Sequence, residues 1–260
     1  MPPMITNTAA YHFVPVEHPD VLASALHAQA GARGLKGTML VAPEGINLFL
    51  AGTAQDIDGF YDWLHADPRF AGMPVKYSAS EHQPFARLKA KVKPEIISFR
   101  LDHASPLQHG RAPAVSPRTL QGWLRDGHDD HGRPLVLLDT RNQQEVAFGT
   151  FAGALTLPIG KFTDLPAALA LHRERLAGAT VVSFCTGGIR CEKAALWMRA
   201  DGIDNVVQLD GGILGYFEQV GGEGYEGRCF VFDERVALDP QLRPLQDAGN
   251  AGGSPELGKV

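Results

Sequence analysis

Apolar residues recur along the chain with two spacings, and the spacing predicts its elements. Tyr11 to Val16 alternates as a short strand, and Val21, Leu22, Ala25 and Leu26 mark one face of a helix from Asp20, its expected N-cap, to about Gln29. Thr38 to Ala42 and Ile46 to Ala51 read as strands joined by the turn Pro43-Glu44-Gly45. Ile57, Phe60, Tyr61 and Leu64 predict a second helix over about Ala54 to Asp67. Strand-like segments follow at Pro74 to Tyr77, Phe85 to Val92 and Glu95 to Phe99. Strand, helix, hairpin, helix, strand is the order of a ferredoxin-like α+β unit, expected over residues 1–100.

Leu101 to Ala114 mixes Pro, Gly, His and Ser without periodicity and reads as an interdomain linker. Ser116-Pro117 then supplies an N-cap and a first-turn proline. Strand and helix patterns alternate to about Gly222, which predicts an α/β domain over residues 115–222 with a doubly wound parallel sheet. Residues 223–260 form an extension whose end, after about Arg243, is rich in Gly, Pro and Asn and expected to be disordered.

Length changes this picture little, because 260 residues accommodate two modest cores. Charge changes it more. A net charge of −5 gives no global attraction to nucleic acid, so any RNA site must be a local basic patch. Three cysteines without a secretory signal suggest a reducing compartment. No apolar run has the length of a membrane span, and a soluble, cytoplasmic protein is expected.

The candidate chemistry lies in Cys185-Thr186-Gly187-Gly188-Ile189-Arg190, between the apolar run Ala179 to Phe184 and a helix-like stretch from Cys191. A thiol in a tight loop at a helix N-terminus meets inward-pointing N–H groups and positive potential, to which Arg190 adds a full charge. These effects favour the thiolate, so Cys185 is the expected nucleophile. Arg190 reads as a contact for an anionic substrate or a persulfide, favoured by its place inside the loop, or else as a salt-bridge partner of Glu192 or another surface carboxylate. Asp139 and Arg141, after the strand-like Leu135 to Leu138, are expected to brace the loop, the carboxylate by accepting its N–H groups. Cys191 reads either as a packed helix cysteine or as the partner that resolves an oxidised Cys185. Cys229, in an apolar run, reads as structural.

Arg87, Lys89, Lys91 and Lys93 fall on alternate positions and share one face of an extended strand, with Leu88, Ala90 and Val92 turned to the core. Spacing alone fits a nucleic-acid-tracking stripe and a lysine-protected edge strand equally well. Trp123, Trp197 and Phe217 lie at helical spacing and read as core rather than as base-stacking platforms. His128-Asp129-Asp130-His131 lacks a third ligand nearby and reads as a solvated loop, so no metal site is expected.

Cys-x4-Arg opening a helix resembles the active-site loop of rhodanese domains, where the cysteine carries a persulfide and the arginine position helps set sulfur reactivity. Asp139-Thr140-Arg141, Glu145, Gly149 to Ala154, and Val206 to Ile213 with its Gly-Gly turn, resemble further marks of that fold. The longer string Cys185 to Ala194 is similar to the TrhO family of oxygen-dependent tRNA uridine hydroxylases. So are Pro43 to Asn47, Lys91 to Ile97, and Cys229 to Val236. Asn142-Gln143-Gln144 and Asp210 depart from the expected pattern. The resemblance implies C5 hydroxylation of the wobble uridine of tRNA to 5-hydroxyuridine. It implies molecular oxygen as co-substrate with an unidentified electron donor, and the anticodon stem-loop as partner, with the Arg87 to Lys93 stripe in contact with RNA. No metal or flavin site is predictable from the residues. Two alternatives stand beside it. One is a sulfurtransferase that takes sulfur from a donor protein or small donor. The other is a tRNA-binding redox sensor that uses Cys185 and Cys191.

Overall fold

The computed structural model describes residues 4–245, and the tail expected to be disordered lies beyond 245, outside them. The chain begins with β1 (Ile5–Phe13), α1 (Pro19–Ala32), β2 (Lys36–Ala42), β3 (Gly45–Gly52), α2 (Ala54–His65), β4 (Val75–Ser80) and β5 (Leu88–Val92). The sheet order is β4-β1-β3-β2-β5. The first four strands are antiparallel neighbours, as in the expected ferredoxin-like unit, and β5 joins β2 in parallel at the edge. One sheet face (Ala10, Met39, Val41, Leu48, Leu50) is covered by Leu22, Leu26, Ile57, Phe60 and Leu64 of the helices. Thr53 caps α2 by accepting the Asp56 N–H. Asp20, the expected cap of α1, lies inside its first turn, because Pro19 starts the helix and His18 is the N-cap.

Glu95 to Phe99 is not a strand. The Glu95 carboxylate accepts the Phe99 and Arg100 N–H groups and folds the segment into a turn. The stretch expected as a linker carries a 3-10 turn at Asp102–Ala104 and α3 (Pro106–His109). Ala104 and Ala112 are buried in the second domain's core.

The second domain runs through β6 (Ala114–Val115), α4 (Pro117–Asp126), β7 (Leu135–Asp139), α5 (Gln143–Val146), β8 (Gly149–Phe151), α6 (Leu165–Ala170), α7 (Arg173–Leu176), β9 (Thr180–Phe184), α8 (Ile189–Ala200), β10 (Val206–Leu209) and α9 (Gly212–Val220). Ser116 caps α4 through the Thr119 N–H, as its position predicts. The parallel sheet has the order β6-β10-β9-β7. Its side chains alternate between two cores: Val136, Leu138 and Val181 pack with α8, and Leu137, Val182 and Phe184 pack with α9. That alternation is what helices on both sheet faces demand. Trp197 and Phe217 are buried, while Trp123 packs beside the α9 core and donates to Asp130 at 2.8 Å. Short strands β11 (Tyr225–Gly227), β12 (Cys229–Phe230) and β13 (Ala237–Leu238) complete the described chain, β11 pairing with β8 and β12 with β13. Among the described residues, no helix is long and apolar enough to cross a membrane.

Candidate active site around Cys185

Cys185 follows β9 directly, and its loop turns into α8 at Ile189. Gly188 N–H donates to the Cys185 sulfur at 3.2 Å, and Cys191 N–H donates back to the Gly188 carbonyl at 3.0 Å. Helix α9 holds the loop from the side, with Ile213 and Leu214 N–H groups donating to the Cys185 and Thr186 carbonyls at 2.9 and 3.0 Å. Two glycines make this approach possible. A Cβ on Gly212 (φ +62°) would stand 2.5 Å from the Cys185 carbonyl oxygen, and one on Gly188 (φ +104°) 2.9 Å from the Tyr11 hydroxyl. Gly187 has open space where a Cβ would go, and Ile189 is half-buried at the start of α8.

Burial pushes the Cys185 thiol up. The Cys191 thiol hydrogen bond, the Arg190 charge and the Arg190 and Gly188 N–H groups outweigh it, and Cys185 ends well below the ordinary thiol range. Cys191 moves the other way, because burial and the neighbouring thiolate disfavour a second negative charge. Cys229 is buried and pushed up to about 12, in keeping with a structural thiol.

Arg190 does not reach into open space. Its guanidinium forms a two-pronged pair with the fully buried Glu145, at 2.6 Å on each side. Thr186 adds a hydroxyl donation to the same carboxylate at 3.4 Å. Asp139 does not accept loop N–H groups. It pairs with Arg141 at 2.6 Å and accepts the Thr150 hydroxyl at 2.7 Å, and Arg141 donates to the Gly149 carbonyl. The pair sits at the end of β7 beside the Cys185 strand, with Asp139 in register with Phe184 and the next residue, Thr140, donating its hydroxyl to the Phe184 carbonyl at 3.0 Å. Residues 142–145 form a capping box, in which Asn142 accepts the Glu145 N–H. The motif signals a helix start, and nothing local in it signals that the same carboxylate clamps Arg190.

The first domain closes the site from above. Tyr11 donates to Glu192 at 3.1 Å, and Glu192 also accepts from Arg111 at 3.0 Å and Gln208 at 2.8 Å. Arg111 reaches Asp210 at 2.7 Å. Lys76 lies 5.7 Å over the Tyr11 ring. Burial lowers its ammonium pKa against the opposing pull of Cys185, Asp210 and Glu218. Among the described residues the Lys76 ammonium has no hydrogen-bond or ion-pair partner. The motifs at Glu44, Glu95 and Lys193 converge at this interface, where Lys193 meets both carboxylates at 2.8 and 2.6 Å. The fourth motif arrives too, with Arg235 bound to Asp233 and donating to Ser78 at 2.7 Å. Cys185 is therefore fully buried, with the first domain as its roof.

The basic residues stand at the β5 edge. Arg87, Lys91 and Lys93 are exposed and Lys89 is half-buried. Leu88 and Ala90 pack toward the core as expected, but Val92 is 50% exposed where the strand runs out. Strand register aligns Lys91 with Leu40, Asn47 and Tyr11 in one cross-strand row. A second row joins Lys89 with Thr38, Phe49, Ala9 and Lys76. Both lysines thus share the sheet face that roofs Cys185. Asp129 is buried and accepts the Thr180 hydroxyl and the His131 and Arg133 N–H groups, so it organises a turn. Among the described residues, no three His, Cys, Asp or Glu side chains cluster as a metal site.

Residues 5–96 match the model of the UPF0176 acylphosphatase-like domain, and residues 119–219 that of the rhodanese-like domain. A tRNA uridine(34) hydroxylase of Xanthomonas euvesicatoria pv. vesicatoria is 74% identical over 94% of this chain and 98% of its own. One of Xanthomonas campestris pv. campestris strain B100 is 71% identical over 99% of this chain and 100% of its own. A third, of Xylella fastidiosa, is 68% identical over 94% of this chain and 95% of its own.

Proposed function

The chain belongs to the tRNA uridine(34) hydroxylase family, and from that premise we propose that it uses Cys185 to hydroxylate C5 of the wobble uridine with molecular oxygen. The observation that carries the reading is the shared sheet face. One face roofs the buried thiolate with Tyr11 and Lys76 and carries Lys89 and Lys91 at its open edge. Three strand spacings separate Tyr11 from Lys91, about 14 Å, a distance that an unstacked anticodon loop spans. The lysines hold phosphate, and the base leaves its stack to enter the site.

The thiolate adds to C6 of the uracil, which makes C5 electron-rich and able to capture oxygen. Gly188, Arg190 and Glu145 keep the sulfur anionic and in place. Lys76, whose charge has no fixed acceptor, faces the negative charge that builds up on the ring. Because Cys185 is fully buried, the roof must part from the loop before the base enters.

Nucleoside mass spectrometry of tRNA from cells lacking the protein tests this. 5-Hydroxyuridine derivatives should vanish and return with the wild-type gene but not with Cys185→Ser. Rescue by both genes removes the thiol from the chemistry. An unchanged nucleoside profile, together with sulfur transfer to cyanide by the purified protein, replaces the reading with a sulfurtransferase.

A further inference from the structure

We propose that Phe232 stacks on a nucleobase that flanks the wobble uridine and so holds the anticodon loop beside the Cys185 site. The inference deepens the hydroxylase reading and rests on it. Phe232 is 41% exposed, and among the described residues it is the one exposed phenylalanine. Its ring meets Phe230 edge-to-face, with centroids 5.1 Å apart at 87°, and Phe230 meets Phe148 at 5.2 Å. An edge-to-face contact engages at most one face of Phe232, so a flat face is left for a base. The three rings stand next to the nucleophile's loop. Thr186, the residue after Cys185, brings its hydroxyl within 3.5 Å of the Phe230 carbonyl.

The turn that carries Phe232 is held on every side. Val231 N–H donates to the Val236 carbonyl at 2.9 Å, and Val236 N–H to the Asp233 carbonyl at 3.0 Å. Arg235 pairs with the buried Asp233 and reaches Ser78 of β4 at 2.7 Å, and Glu234 N–H donates to the Pro84 carbonyl at 3.2 Å. Val236 is forced to φ +63°, a region that a β-branched residue rarely enters. Backbone strain that surrounding ties over-determine clusters at ligand clamps and active sites, and here its effect is a rigid platform for one exposed ring. The turn is tied to the β4 edge of the first sheet, while Lys89 and Lys91 stand on β5 at the other edge. Four strand spacings, about 19 Å, separate the two edges. Lysines take phosphate at one and an aromatic face takes a base at the other, which grips an unstacked loop at two points.

The test uses the full-length protein and a synthetic anticodon stem-loop with uridine at the wobble position, beside copies made abasic at the nucleotide on either side of it. Fluorescence anisotropy gives each Kd. Wild type should bind one abasic RNA about tenfold or more weakly than the intact RNA. Phe232→Leu, which keeps apolar bulk without an aromatic face, should lose affinity for intact RNA by a similar factor and lose little more with the abasic one, because one contact cannot be lost twice. Phe232→Trp should bind as wild type does. Equal affinities of Phe232→Leu and wild type, or losses from residue and base that multiply, would overturn the inference. A second measurement needs no variant: 5-iodouracil at the flanking position, irradiated in the wild-type complex, should crosslink to Phe232, and a crosslink mapped elsewhere would also overturn it. Cells in which the wild-type gene restores no 5-hydroxyuridine remove the hydroxylase reading and this inference together. Restoration alongside independent losses removes this inference alone.

Discussion

The floor and the roof of the Cys185 site are both polar, yet they are built on opposite terms. Beneath the loop every charge has its partner: Arg190 is locked to Glu145, and Arg141 to Asp139. Above it, Tyr11 makes one hydrogen bond and Lys76 hovers over a ring with no anion in reach of a salt bridge. Buried ion pairs hold a geometry and resist change, while an unpaired, half-buried ammonium costs stability until something anionic arrives. On the proposed reading, the floor therefore sets the Cys185 thiolate, and the roof is the side that answers to a substrate.

The comparison breaks first on the floor. Glu145→Gln leaves Arg190 charged, buried and without its counter-ion, and should cost about 3–5 kcal/mol of stability. Urea denaturation measures it, and a loss within about 0.5 kcal/mol would mean the clamp is not structural. Burial raises the Glu145 pKa and the Arg190 charge lowers it by more, leaving it below its usual 4.5. The clamp's contribution is therefore present above the unfolded value and lost as pH falls through the folded one. The gap between wild type and Glu145→Gln should accordingly narrow below about pH 4.5.

On the roof the pattern should reverse. Lys76→Met should leave stability unchanged or slightly raised, yet lower kcat by about ten- to a hundredfold with KM little altered. Equal losses of stability and activity would reduce Lys76 to packing.

The edge of the roof sharpens the contrast further. Changing Lys89 and Lys91 to Glu should weaken tRNA binding and lower the salt dependence of Kd by about two phosphate contacts. An unaltered salt slope would return the stripe to its role as a protected edge strand.

The smallest effect is spectroscopic. The ultraviolet absorbance of thiolates should show one cysteine ionising well below the ordinary range and two above it. Cys185→Ser should remove only the early step. An early step that survives would assign the low-pKa thiol to another cysteine.

Much of this was legible along the chain because the signals are local. Strand and helix periods, the Ser116-Pro117 start and the Cys185 loop each depend on residues within a few positions of one another. The linker and the roles of Asp139 and Arg190 were harder. Ala104 and Ala112 look like loop residues until a second domain's core accepts them. A capping Glu145 looks sufficient to itself until Arg190 arrives from 45 residues away. Tyr11 and Lys76 carried no signal, since an alternating tyrosine and a lone lysine are ordinary on any strand.

What the sequence determined by itself was the two domain types and the thiol loop, because periodicity and a tight glycine turn act through neighbouring backbone. What only the tertiary structure decided was which groups surround that thiol. Tyr11 and Lys76 come from the other domain, and Glu145 from helix α5. Charge and hydrogen bonding act through space, and only the packing of one sheet face over the other domain's loop brings those groups within range.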